Sequence, residues 1–261
     1  METTLLQSII FGIVQGITEF LPISSSGHLV LLEYLFGMDK PQISFFVALH
    51  ISSLLAVVIY FWRDWLNLFW IRSDMEVYQK NPELLWYIIV ATIPAVFFGI
   101  IFNDRAEALI FSPIMISLLI VLGSFILFTS DKLFIADKSM EKMTFKYSLL
   151  IGLAQIVALI PGVSRSGMTI AGARIGGFTR EDAARFSFLI ATPIIAGAGI
   201  MQLKYFSGMD INTWIGCIIS FIFAMLTIHY FLALIKKISY AIFLYYSLAL
   251  FAVVSIIFYN N

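Results

Sequence analysis

Two stretches of this chain set reactive side chains directly against apolar runs that end at a proline. The first is Gln15-Gly16-Ile17-Thr18-Glu19-Phe20-Leu21-Pro22-Ile23-Ser24-Ser25-Ser26-Gly27-His28. Gln15 and Glu19 stand four apart and so share one helix face just before the break at Pro22. An ionised carboxylate in an apolar segment costs about 2.5–3.5 kcal/mol at mid-membrane. Glu19 is therefore either part of a site or the partner of a cation that ties two elements together. Ser24, Ser25, Ser26 and His28 bring hydroxyls, a permissive glycine and an imidazole into one turn, the material for nucleophilic or acid/base chemistry on a phosphate ester. A serine-rich turn also satisfies its own backbone, but the histidine adds a proton carrier that works near neutral pH. The second stretch is Pro161-Gly162-Val163-Ser164-Arg165-Ser166-Gly167-Met168-Thr169. Arg165, between Ser164 and Ser166 and flanked by Gly162 and Gly167, joins a planar fork of donors to close backbone N–H groups, a receptor for an oxyanion such as phosphate.

The surrounding chain has the composition of a membrane protein. Of 261 residues, 61% are hydrophobic and only 12% charged, and the mean hydropathy is +0.96. That charge density is about half that of a soluble domain, which excludes a soluble globular enzyme. Sixteen Lys+Arg balance sixteen Asp+Glu, leaving no basic excess for nucleic acid; the partner implied is the lipid bilayer. A single cysteine, Cys217, forms no internal disulfide. No Lys or Arg precedes Lys40, so the first apolar stretch is expected to stay in the mature chain rather than act as a cleaved signal.

A spanning helix needs about 20 apolar residues. Six stretches qualify, approximately Ser44 to Trp62, Leu84 to Phe102, Pro113 to Ser130, Phe186 to Leu203, Trp214 to Ile235 and Tyr240 to Tyr259. Leu5 to Pro22 and Phe145 to Pro161 are shorter, and each runs into a Ser/Gly-rich segment. Irregular polar backbone survives at membrane depth only where protein or a watery cavity satisfies it, so these two are expected to be re-entrant helix hairpins. Six crossings then put Arg63, Arg72, Lys80, Lys132, Lys138, Lys142, Lys146, Arg180, Arg185, Lys236 and Lys237 on one side and Lys40, Arg105 and Lys204 on the other. That asymmetry satisfies the positive-inside rule.

The hairpins then enter from opposite faces, the geometry of an inverted repeat. Gly12-Ile13-Val14-Gln15 before the first break matches Gly152-Leu153-Ala154-Gln155 before the second, and Phe45-Phe46-Val47-Ala48-Leu49 corresponds to Phe186-Ser187-Phe188-Leu189-Ile190. The expected architecture is one integral membrane domain, all-α and polytopic, with six transmembrane helices and two re-entrant hairpins. Its inverted-topology repeats cover approximately residues 1–130 and 140–261.

Other polar residues take structural readings. His50 and His229 lie inside spans with no matching ligand set and read as packing or helix-pairing residues. Trp62, Trp65, Trp70 and Trp86 read as interfacial anchors. Arg180 and Arg185 read as helix-edge arginines reaching the interface. Gly172, Gly176, Gly197 and Gly199 read as surfaces for close helix packing.

The two motifs and the Phe186-Ser187-Phe188-Leu189 segment resemble the bacitracin-resistance type of undecaprenyl-diphosphatase over essentially the whole chain. The resemblance implies a phosphatase of the bacterial inner membrane that hydrolyses undecaprenyl diphosphate to the monophosphate and inorganic phosphate, recycling the lipid carrier of cell-wall synthesis. It implies a divalent cation (Mg or Ca) and a homodimer. It assigns Glu19, Ser25, His28 and Arg165 to catalysis, with Glu19 toward the metal. Gln15, Ser24, Ser26, Gly162, Ser164, Ser166, Gly167 and Thr169 fall to substrate binding. The family's acid motif often opens with Glu where this chain has Gln15, which carries no charge. Ser25, His28 or water remain alternatives for the nucleophile. A transporter or flippase for lipid or small anions is the rival reading, because broken helices meeting at mid-membrane also suit transport.

Overall fold

The structure, a computed structural model, describes residues 3–37, 43–69, 75–108, 112–134, 136–201 and 209–258, with the backbone alone for 43, 103–108 and 201. Lys40, Arg72 and Lys204 of the charge count lie outside the described residues, as do Trp70 and the span ends at Leu203 and Tyr259; of Arg105 only the backbone is described. The described residues form helices α1 (Leu5–Thr18), α2 (Ser25–Leu35), α3 (Ile43–Tyr60), α4 (Trp62–Leu68), α5 (Glu76–Lys80), α6 (Leu84–Ala108), α7 (Pro113–Leu133), α8 (Phe145–Val157), α9 (Arg165–Ile175), α10 (Arg180–Met201), α11 (Ile211–Ile235) and α12 (Ala241–Phe258). Strand pairing among them is limited to a single bridge between Lys138 and Phe178. The chain is an all-α polytopic membrane protein. Five helices, α6, α7, α10, α11 and α12, are long and apolar enough to cross a membrane, and α3 with α4 makes a sixth such segment bent by 68°.

Length separates these from the two helices that carry the motifs. α1 has 14 residues and α8 has 13, about 20 Å at 1.5 Å per residue against about 30 Å of hydrocarbon. Each stops where a proline removes the next backbone donor. α1 opens on a capping box in which Thr4 and Gln7 satisfy each other's backbone N–H.

Small residues decide what α1 and α8 pack against. A Cβ on Gly12 would sit 2.6 Å from the Gly216 carbonyl oxygen and one on Gly16 2.5 Å from that of Ser220, so α1 lies backbone to backbone on α11. A Cβ on Gly152 would come within 2.7 Å of the Ala91 carbonyl oxygen, which sets α8 on α6 in the same way. The Gly-x-x-Gln motif thus has a steric half and a polar half: the glycine admits the neighbouring helix, and Gln15 and Gln155 lie buried in the seams. Phe188, fully buried, joins the halves edge-on to Phe20 and Phe61. Ile93, Phe97 and Ile100 of α6 and Tyr245, Val253 and Ile256 of α12 remain exposed, the apolar shell that lipid requires.

The arginines read from sequence as interface-seeking are instead engaged in ion pairs. Arg180 holds Asp131 with both Nε (2.9 Å) and Nη2 (2.8 Å), Arg174 pairs with the same carboxylate at 2.9 Å, and Arg185 pairs with Asp64. Asp64 and Asp131 are buried, and a buried carboxylate needs a paired cation. α10 also begins at Arg180, six residues before the expected start, because the Thr179 hydroxyl accepts the Asp182 N–H and caps it.

Candidate active site

Both helix breaks turn through the same unusual residue. Ser24 and Ser164 have φ of 71° and 75°, the two positive values among the described non-glycine residues. Such a conformation costs roughly 1–3 kcal/mol and concentrates at functional sites. Each serine caps the helix that follows: Ser24 Oγ accepts the Gly27 N–H at 3.2 Å, and Ser164 Oγ accepts that of Gly167 at 3.1 Å. Ser25 and Arg165 therefore occupy the same place, the first residue of α2 and of α9.

The turns meet at Glu19. Arg165 Nη2 donates to Glu19 Oε1 at 2.5 Å, Ser25 Oγ donates to Oε2 at 2.6 Å and Gln15 Nε2 donates to Oε2 at 3.0 Å. Ser166 Oγ donates across to the Leu21 carbonyl at 2.9 Å, locking one turn to the other. Glu19 is buried, yet it and Arg165 border a cavity of about 420 Å³. Ser24, Ser25, Ser26, Ser164 and Ser166 share its wall, while Phe46, Val47, Ile194, Ile195, Ala198 and Gly199 make an apolar side. Among the described residues neither Arg165 Nη1, at the cavity, nor Gln15 Oε1, buried behind Glu19, has a hydrogen-bond partner.

Five of the residues singled out from sequence, Gln15, His28, Gly162, Gly167 and Thr169, lie off the cavity wall. His28 points to α12: Nδ1 meets the Ser24 carbonyl at 2.7 Å, Nε2 meets the Tyr246 hydroxyl at 2.7 Å and the rings stack. Because a carbonyl only accepts, Nδ1 carries the proton and Nε2 accepts from Tyr246. Gly162, at φ 101°, presses on α7, where a Cβ would meet Leu119 Cβ at 2.8 Å. The Thr169 hydroxyl is buried, bonding the Arg165 carbonyl at 3.0 Å and Ser187 Oγ at 2.7 Å. Gly167 lies beneath the wall, its N–H on Ser164.

One residue at the cavity has no counterpart among the sequence candidates. His50 lines it, with Nε2 3.7 Å from Glu19 Oε2 and Nδ1 on the Phe46 carbonyl at 2.8 Å. The available signal is its position directly after the Phe45–Leu49 segment, in the helix that follows the first break.

With a carboxylate, a hydroxyl donating to it, an arginine with a free donor and two helix N-termini, the cavity can bind an anion and activate an oxygen nucleophile. The family model described as "Bacitracin resistance protein BacA" matches residues 8–253. The chain belongs to the BacA family. BacA relatives named "Undecaprenyl-diphosphatase" include one from Desulforudis audaxviator, 43% identical over 94% of both chains. Another, from Saccharophagus degradans, is 42% identical over 94% of this chain and 95% of its own. A third, from Moorella thermoacetica, is 38% identical over 98% of each. Both BacA-type motifs of this chain fall within the matched region.

Proposed function

We propose that this protein is an undecaprenyl-diphosphate phosphatase, releasing inorganic phosphate and undecaprenyl phosphate for reuse as the lipid carrier of cell-wall synthesis. The observation that carries the reading is the meeting of Glu19, Ser25 and Arg165, drawn from two helix breaks, in one half-apolar cavity of a BacA-family chain. Arg165, through its unpartnered Nη1, and the first-turn N–H groups of α2 and α9 hold the diphosphate. Ser25 Oγ attacks the terminal phosphorus while its proton passes to Glu19 Oε2. The bridging oxygen leaves with undecaprenyl phosphate, its charge stabilised by Arg165. Water then cleaves the phosphoserine by the same route. Tyr246 and His28 act through the Ser24 carbonyl, holding the turn that aims Ser25. The apolar wall at Ile194, Ile195 and Ala198 receives the first prenyl units.

The divalent ion implied by the resemblance fits this donor set in one manner. Among the described residues no group of three His, Cys, Asp or Glu could cage a metal, whereas Glu19 at the cavity wall would hold a hard cation together with phosphate oxygens of the substrate. Such an ion supplies charge neutralisation on the phosphoryl oxygens.

The reading places the chain in the bacterial inner membrane as a homodimer, one domain of two inverted repeats with α1–α2 and α8–α9 as re-entrant hairpins. The short α1 and α8, their matching seats on α11 and α6, and the paired left-handed serines support that arrangement.

Phosphate release from a long-chain prenyl diphosphate by detergent-purified protein, with and without magnesium or calcium, tests the function. Cation-dependent release lost in Arg165→Ala and Glu19→Ala is expected; no release from folded wild type under any cation sinks it.

A further inference from the structure

We propose that Ser53 is a positioning residue that acts through Gln15: it fixes the Gln15 amide so that an N–H, and not the carbonyl oxygen, faces Glu19. The inference rests on the hydrolase reading above, in which Glu19 takes the Ser25 proton, and deepens it. Ser53 comes from α3, and both it and Gln15 are fully buried. Gln15 Nε2 donates one hydrogen to Glu19 Oε2 at 3.0 Å and the other to Ser53 Oγ at 3.3 Å. Ser53 offers a lone pair there because its own hydrogen goes to the Leu49 carbonyl, four residues back, at 3.2 Å. Ser220 Oγ lies 3.3 Å from Ser53 Oγ and donates to the same carbonyl at 3.3 Å.

Orientation matters because the two ends of the amide are unlike. Gln15 Oε1 has no hydrogen-bond partner among the described residues. A half-turn of the amide would exchange it with Nε2 and set it against Glu19 Oε2 and Ser53 Oγ. While Glu19 is ionised and paired with Arg165 at 2.5 Å, its own charge opposes that turn. Once Oε2 holds the Ser25 proton the carboxyl becomes a donor, and the orphaned Oε1 would gain a partner by turning toward it. The turned amide would then keep the proton on Glu19, which must shed it before taking another from water. Ser53 is the contact that still resists the turn, since accommodating Oε1 would mean breaking its bond to the Leu49 carbonyl.

The test combines phosphate release from a long-chain prenyl diphosphate with infrared difference spectra of the carboxylate bands, both on detergent-purified full-length protein. Ser53→Ala is expected to lower kcat about fivefold at unchanged KM. Gln15→Leu should lower it at least as far, and adding Ser53→Ala to Gln15→Leu should change kcat by less than about twofold, because Ser53 works through Gln15. Ser220→Ala removes a hydroxyl from the same buried seam without touching Gln15 among the described contacts, and should stay within about twofold of wild type. In the infrared, Ser53→Ala minus wild type should show carboxylate bands of the same sign as Gln15→Leu minus wild type, and Ser220→Ala should show none; the elution profile of each variant confirms folding. Unmoved carboxylate bands or unchanged kcat in Ser53→Ala, losses that multiply in the double variant, or a Ser220→Ala loss as large as that of Ser53→Ala overturns the inference. The two measurements keep the readings apart: release by wild type with unmoved bands in Ser53→Ala removes Ser53 alone, and the shared band shift without release by wild type removes the hydrolase reading alone.

Discussion

Arg165 Nη2 lies 2.5 Å from Glu19 Oε1 although the two residues are 146 positions apart in the chain. Deleting one partner of a buried pair strands the other and costs about 3–5 kcal/mol, whereas replacing both with neutral groups of similar size is milder. Arg165→Met and Glu19→Gln should each lower thermal stability, and the double variant should be more stable than either single one while still releasing no phosphate. Thermal melting of the four proteins in one detergent checks this. A double variant as unstable as the sum of the singles would mean the pair contributes nothing as a pair.

Ser25 should separate chemistry from binding. Ser25→Ala removes the hydroxyl that donates to Glu19 and is expected to lower kcat by about 10²–10⁴-fold, with KM for a prenyl diphosphate little changed. Ser26→Ala, whose hydroxyl lies 3.4 Å from Ser24 Oγ and does not touch Glu19 among the described contacts, should stay within a few-fold of wild type. Steady-state phosphate release distinguishes them, and equal losses would remove Ser25 from the attacking role.

Tyr246→Phe tests whether His28 works by holding Ser24. The change removes the hydroxyl 2.7 Å from His28 Nε2, a bond worth about 1 kcal/mol net. A fall of about tenfold or less in kcat at unchanged KM is the expected result. Unchanged kcat in a variant that keeps its melting temperature would show that the imidazole needs no partner.

Gly123 supports the second turn from below. A Cβ there would lie 2.1 Å from the Val163 carbonyl oxygen, a backbone atom with no side chain to yield. Gly123→Ala should displace the turn that carries Ser164 and Arg165, costing about 1–3 kcal/mol and most of the phosphate release. A variant that melts and releases phosphate like wild type would show that α7 does not brace the turn.

Asp210, just outside the span of α11, gives a pH signature. Its carboxylate accepts the Thr213 hydroxyl at 2.6 Å and the Thr213 N–H at 2.8 Å, and these bonds hold its pKa below the usual value for aspartate. A depressed folded-state pKa contributes stability above the unfolded value and loses it as pH falls through the folded one. Asp210→Ala should therefore melt lower than wild type near neutrality, with the difference closing below about pH 4. A difference that is constant with pH would assign the effect to helix propensity rather than to the carboxylate.

The polar breaks were legible because Pro22 and Pro161 stop helices whatever surrounds them, and a Ser-x-Ser-Gly run after each supplies its own cap. The partners of those breaks were not legible. Gly12 and Gly152 look alike in sequence, and only the assembled bundle shows one against α11 and the other against α6. A lone histidine in an apolar span such as His50 carries no ligand pattern of its own, and its neighbour Glu19 is reached only through space. The ion pairs of Arg180 and Arg185 join residues 49 and 121 positions apart, Asp131 and Asp64, and spacing says nothing about pairs so distant.

Ser24 and Ser164 share one left-handed bend, so the chain casts two different tools from one backbone mould. The residue after each bend stands first in a helix and on the cavity wall. One copy mounts a hydroxyl there and the other a guanidinium. On the proposed reading, the division of labour between attacker and anion holder comes down to a single side chain at each of two like positions. Neither copy could work as its own mirror partner: a symmetric pair of Ser25-type turns would lack the cation, and a pair of Arg165-type turns would lack the nucleophile.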